Sequence, residues 1–121
     1  MLNCIAVGLG GFVGSVLRYL IGQIKIDEAF AFPIKTLAIN IIGAFAIGII
    51  TAMCLRQSSF DARTVLFLKV GVCGGFTTFS TFALESVNLM QSGRGALAVL
   101  YMVLSVVLSV AAVMLAEMLV K

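Results

Sequence analysis

Four long apolar runs, joined by short polar segments, fill almost the whole chain. They cover about residues 2–23, 33–55, 64–91 and 95–120. A helix needs about 20 apolar residues to cross the hydrocarbon of a bilayer. Each run is long enough, so the pattern predicts an all-α integral membrane protein: one domain, 1–121, of four transmembrane helices. The polar joints are Lys25-Ile26-Asp27-Glu28, the charged stretch from Arg56 to Arg63, and the turn Gln91-Ser92-Gly93-Arg94. Pro33 opens the second run, at a helix position that tolerates proline.

The third run breaks the pattern. A continuous helix over it would be roughly 40 Å long against about 30 Å of hydrocarbon. Its middle reads Gly74-Gly75-Phe76-Thr77-Thr78-Phe79-Ser80-Thr81-Phe82, two adjacent glycines and then four hydroxyl residues set among phenylalanines. Glycine is a poor helix former, and Ser and Thr side chains satisfy backbone groups that a break sets free. The expectation is a helix broken near its middle. Irregular backbone at membrane depth is tolerated inside protein or beside water, and broken helices are a common way to build ion sites. A glycine-rich packing face is the alternative, and the density of hydroxyls weighs against it.

The other runs carry isolated polar positions. The first holds Gly8, Gly10, Gly11 and Gly14, so one face is nearly bare backbone, and Gly10 with Gly14 forms a GxxxG packing pair. Arg18 lies about one turn from its end, placed either to snorkel to the headgroups or to line a wet anion vestibule. In the second run Thr36, Asn40, Ala44 and Gly48 form an i, i+4 stripe, with Asn40 the one strongly polar residue inside. In the third, Lys69 is near enough to the interface to snorkel, and Glu85 lies beyond the break facing protein or water. In the fourth, Tyr101, Ser105 and Ser109 share a face, which reads as a polar track or as close helix packing.

Composition agrees with the pattern. The chain is 62% hydrophobic with mean hydropathy +1.21, against about 45–50% apolar residues in soluble domains. A net charge of +3 without a basic run gives no footprint for nucleic acid. Histidine is absent, which removes the commonest general base and metal ligand. Cys4, Cys54 and Cys73 are odd in number and fit no metal spacing, so they read as small core residues. The N-terminus lacks a basic n-region and carries Arg18 where a cleavage site would stand, unlike a cleavable signal. No nucleophile has a base partner, the acids are scattered, and Gly10-Gly11-Phe12-Val13-Gly14 follows no strand and meets no Walker pattern, so catalysis finds little footing.

Loop charge chooses no orientation. Arg56, Arg63 and Lys121 fall on one side of four spans; Lys25, Lys35 and Arg94 fall on the other, three against three. Lys69 and Arg18 add one to each side. The positive-inside rule is then silent, and a dual-topology, antiparallel homodimer is expected, its halves related like the inverted repeats of longer transporters.

The chemistry at the midplane suits a small ion. Phe79 and Phe82 are three apart and share a face, and the positive edges of aromatic rings can hold an anion without a full charge that would trap it. Thr, Ser and Asn side chains are neutral donors to an anion. Backbone carbonyls freed around Gly74–Thr77 would instead suit a cation. The residues alone leave the sign of the charge open.

The run from Gly74 to Phe82 resembles the signature of the Fluc (CrcB) fluoride channels. Supporting matches are Gly10-Gly11-Phe12-Val13-Gly14-Ser15 with Arg18-Tyr19, then Asn40-Ile41-Ile42-Gly43, then Tyr101, Ser105 and Ser109. The resemblance covers the whole chain in order, with Phe76 standing where that family often carries Leu. It implies a fluoride-selective channel that exports F⁻ passively from the cytoplasm, across the bacterial inner (plasma) membrane, through two pores per antiparallel homodimer. It also implies pore roles for Asn40, Phe79, Phe82 and Ser80, a polar track of Thr36, Thr81, Tyr101, Ser105 and Ser109, and a vestibule lined by Arg18. The main-chain carbonyls of Gly74 and Thr77 would hold one central structural Na⁺. A small multidrug-resistance type exporter is the competing transporter reading, but it needs an acid in the first span, and residues 2–23 hold no Asp or Glu. A scaffold subunit would explain the glycines but not the Phe/Thr/Ser cluster.

Overall fold

The computed structural model describes residues 1–26 and 31–121; Asp27 and Glu28 of the first polar joint lie outside the described residues. The described chain is all helical. Helix α1 is Leu2–Gly22 and α2 is Ile34–Arg56. The third span, Ala62–Gln91, is composite. It starts as α3 (Ala62–Val65), widens into a π-helical stretch (Leu66–Cys73), returns to α4 (Gly74–Phe76), breaks at Thr77 and Thr78, and resumes as α5 (Phe79–Gln91). Helix α6 is Gly95–Leu119. All four spans are long and apolar enough to cross a membrane.

Local chemistry sets the ends. Asp61 caps α3 by accepting from the Thr64 N–H at 3.3 Å. The α5–α6 turn uses Gly93 at φ +78, a left-handed conformation that favours glycine. The span ends also fix which loops share a side. Lys35 Nζ donates to the Gly22 and Ile24 carbonyls at 2.9 and 3.1 Å. Arg56 Nη1 donates to the Val120 carbonyl. Arg63 Nε donates to Asn3 Oδ1 at 3.3 Å. Arg56, Arg63 and Lys121 therefore gather at one end and Lys25, Lys35 and Arg94 at the other, the even division read from the sequence.

Two packing seams hold the bundle. In one, α1 lies on the π-helical stretch and α4 through bare backbone. A Cβ built on Gly14 would stand 2.2 Å from the Val72 carbonyl oxygen, one on Gly10 2.3 Å from that of Phe67, and one on Gly75 2.7 Å from that of Gly11. The GxxxG pair thus does what its spacing predicts, and the wide π turn lies against it. In the other seam α2 packs on α6, where Gly48 accommodates Ala116 and Val113. The α6 face Ala98, Tyr101, Ser105, Ala112 and Ala116 is buried. The core forms around Leu37, Leu89, Ala98 and Tyr101, with Phe82 and Phe32 packed against it.

Gly74 and Gly75 themselves stay helical, and the break falls after them. Gly75 serves close approach to α1, while a Cβ on Gly74 would meet open space. Substituting Gly14 by Ala is expected to destabilise the folded protein by about 1–3 kcal/mol, because backbone rather than a flexible side chain opposes the new carbon. The same change at Gly74 should cost far less; thermal unfolding in detergent compares them.

Candidate functional site

The break is held by side chains that take over helical hydrogen bonds. Asn40, on α2, accepts from the Thr78 N–H through Oδ1 at 2.9 Å and donates through Nδ2 to the Thr78 carbonyl at 3.1 Å. In a continuous helix the Thr78 N–H would go to the Gly74 carbonyl. One turn later, the Thr81 N–H goes to Thr78 Oγ1 at 3.2 Å rather than to the Thr77 carbonyl. Thr78 is thus the N-cap of α5. The carbonyls of Gly74 and Thr77 are among those that lose their usual helical donors. Thr77 Oγ1 donates back to the Cys73 carbonyl at 3.0 Å, and Arg18 Nε donates to the Gly75 carbonyl at 3.3 Å. Arg18 therefore reaches the end of α4.

Beside the break lies a groove of about 470 Å³. Its lining brings together Asn40, Gly74, Thr77, Phe79, Phe82, Ser105 and Ser109 from three separate spans. Most of the wall is apolar, Ile47, Val106, Val110 and Val113 included. Phe79 is 80% exposed on the open side. Its ring centroid lies 5.6 Å from that of Phe82, which in turn lies 5.2 Å from Tyr101. Ser105 is buried, and its Oγ has no hydrogen-bond partner among the described residues. Ser80 is exposed and Thr81 half-buried, and neither lines the groove of the single chain.

Thr36 and Tyr101 meet on a residue that sequence reading left outside the site. Thr36 Oγ1 donates to Glu85 Oε2 at 3.1 Å, and Tyr101 Oη donates to Glu85 Oε1 at 3.0 Å. Thr36 and Tyr101 are themselves buried, Tyr101 completely. Glu85 also borders two further cavities toward the Lys35 and Arg94 end of the bundle. It therefore stands between the buried hydroxyls and the surface. Its position one turn past Thr81, on the Phe82 side of α5, was the available signal. Among the described residues, no cluster of three His, Cys, Asp or Glu suits a metal ion.

Comparison with known proteins places this architecture. The family described as CrcB-like protein, Camphor Resistance (CrcB), matches residues 5–117. A protein of Ruminiclostridium cellulolyticum named "Fluoride-specific ion channel FluC" is 46% identical over 123 residues, covering 100% of this chain and 94% of the relative. Proteins with the same name from Agrobacterium fabrum and Azobacteroides pseudotrichonymphae are 44% and 39% identical, over 93% and 90% of this chain and 91% and 88% of theirs. With a match along nearly its whole length and relatives of this closeness, the chain belongs to the CrcB family and is a multi-pass membrane protein of four helical spans, the third of them broken.

Proposed function

We propose that this protein is a fluoride-selective channel through which F⁻ leaves the cytoplasm passively, working as an antiparallel homodimer around a structural sodium ion. The observation that carries the anion path is Ser105 Oγ, a buried donor without a partner among the described residues, beside a groove that Asn40, Phe79 and Phe82 also line. Leaving such a group unpaired costs about 1–3 kcal/mol, and a passing anion offsets that cost. The names of the relatives supply the identity of the anion. Fluoride that enters as neutral HF ionises in a less acidic cytoplasm, and a passive path for the anion then lets it out.

In this reading the ring edges of Phe79 and Phe82 face the ion, and the hydroxyls of Ser109 and Ser105 lead it onward to Tyr101 and Thr36. The hydrogens of those last two hydroxyls are held by Glu85. An anion reaching them competes with the carboxylate, and a swing of Glu85 toward the surface cavities frees two donors and removes a repelling charge. Arg18 supplies positive potential near the break. Ser80 and Thr81 belong to a wall completed by the second copy.

The open groove supports the dimer. Polar, irregular backbone facing hydrocarbon is strongly unfavourable, and a second copy covers it. Equal basic charge at the two ends lets copies insert in opposite directions. The Gly74 and Thr77 carbonyls, stripped of their helical donors, suit a monovalent cation held by neutral oxygen dipoles. Sodium bound there bridges the two copies and takes no part in transport.

Liposomes holding only this protein should release fluoride down its gradient when valinomycin and K⁺ balance charge, with chloride far slower; equal rates, or a strict need for a proton gradient, contradict the channel. Phe79→Ile and Phe82→Ile should each lower fluoride flux about two- to twelvefold, the factor matching a ring-edge contribution of about 0.5–1.5 kcal/mol, and leave the dimer intact. Exchanging Na⁺ for N-methylglucamine should instead weaken the dimer, read by cross-linking, because the ion binds only the assembled form. A C-terminal reporter should show comparable populations on both sides of the membrane, and two or three added lysines in residues 56–63 should drive that loop to the cytoplasm.

A further inference from the structure

Asn40 uses both atoms of its carboxamide on one main-chain residue. Thr78, its partner, is extended at φ −148 and ψ 120. An extended residue turns its own N–H and C=O toward the same edge, as in a hydrogen-bonded antiparallel pair, where two residues exchange both bonds. A primary carboxamide presents an acceptor and a donor side by side and matches that edge. Among uncharged side chains only Asn and Gln offer this combination, and the longer Gln would shift the pair away from α2. The amide orientation is fixed as well, since Oδ1 must meet the N–H and Nδ2 the carbonyl. Only the second Nδ2 hydrogen is left over.

We propose that Asn40 is a positioning residue: its carboxamide acts as a one-residue strand partner that fixes the break of the third span in a single conformation. Three consequences follow from the bonds described. The Thr78 N–H is taken from Gly74, so the Gly74 carbonyl is released. Thr78 is held extended, so its Oγ1 can cap α5 at Thr81. The first turn of α5, which carries Phe79 and Phe82, is thereby aimed from α2. The importance of Asn40 for transport rests on the channel reading given above; the clasp itself does not.

The test uses the full-length protein, with Asn40→Leu and Asn40→Asp compared with wild type. Fluoride current in planar bilayers is recorded from pH 7.5 downward, a readout to which neutral HF does not contribute. Hydrogen exchange of residues 77–82 is followed in parallel, relative to the intrinsic rate at each pH, with α6 as the control for folding. The charged or titratable groups on the elements around Asn40 are Cys4, Arg18 and Tyr19 on α1, Lys69 and Cys73 on the π-helical stretch, Glu85 on α5, and Tyr101 and Glu117 on α6, with Lys35, Cys54 and Arg56 on its own helix. All of these are present in wild type, whose own pH profile accounts for them.

Asn40→Leu should reduce the current and speed exchange at 77–82 by about tenfold or more at every pH, since two hydrogen bonds are lost. Asn40→Asp should match it near neutral pH, where a carboxylate faces the Thr78 carbonyl. That opposition favours the neutral acid, so the introduced carboxyl takes up its proton as pH falls. Its O–H then donates to the Thr78 carbonyl while its other oxygen accepts the Thr78 N–H. Current and protection should both return. The protonated acid has a single hydrogen and the clasp consumes it, so recovery cannot come from donation to fluoride. If Asn40→Asp stays silent at every pH while exchange at 77–82 remains at the wild-type rate in both variants, the proposal is overturned and Asn40 acts on the anion. A wild type without fluoride current would refute the channel, and the exchange data would still decide the clasp.

Discussion

A transmembrane helix can be interrupted only where the main-chain groups it releases face protein or water, because the hydrocarbon offers them no partner. Here that requirement falls on Thr77 and Thr78. The amide of Asn40 takes both polar groups of Thr78, the hydroxyl of Thr78 takes the N–H of Thr81, and Arg18 takes the carbonyl of Gly75. These substitutions draw on three spans. Beside the same groove, the Gly74 and Thr77 carbonyls lack their helical donors and the Ser105 hydroxyl has no partner among the described residues. The lining of that groove, and the packing of Phe82 onto Tyr101, depend on these substitutions being made together.

The two sides of the break are supported differently. The first half of the third span lies on α1 through glycine, backbone against backbone, and is wound wide there. The second half lies on α6 through side chains, Phe82 and Glu85 against Tyr101. One half is fixed by shape and the other by directed polar contacts. The break is where these two modes of support meet.

Much of this was legible in the sequence. Four apolar runs are enough to give four helices, and the density of Gly, Thr and Ser gave the interruption in the third. The GxxxG spacing marked the α1 seam. The location of the break was less legible, because Gly74-Gly75 reads as the weak point while both residues are helical. Glycine permits a break, but it is a competing hydrogen-bond partner that creates one, and that partner lies 38 residues away on α2. The π-helical stretch was invisible for a similar reason, since no local residue pattern sets it apart from an α-helix. Glu85 was seen as an acid that must face protein or water. Its two hydroxyl partners come from α2 and α6, and only the packed bundle brings them to it. Asn40 was recognised as a polar group inside a span, but that both of its amide atoms are committed to the main chain could be learned only from the geometry.

The glycine seam also sets where this architecture can vary. Where Gly10, Gly14 and Gly75 meet opposing backbone, any added carbon collides with atoms that cannot rotate away. That wall of the bundle therefore has no adjustable parts and behaves as a fixed casting. The opposite wall, on α6, presents Val106, Ser109, Val110 and Val113 to the groove, side chains that can be exchanged without moving a helix axis. Changes in the width and polarity of the groove, by natural drift or by directed evolution, find room on this face of the last helix rather than on the glycine seam.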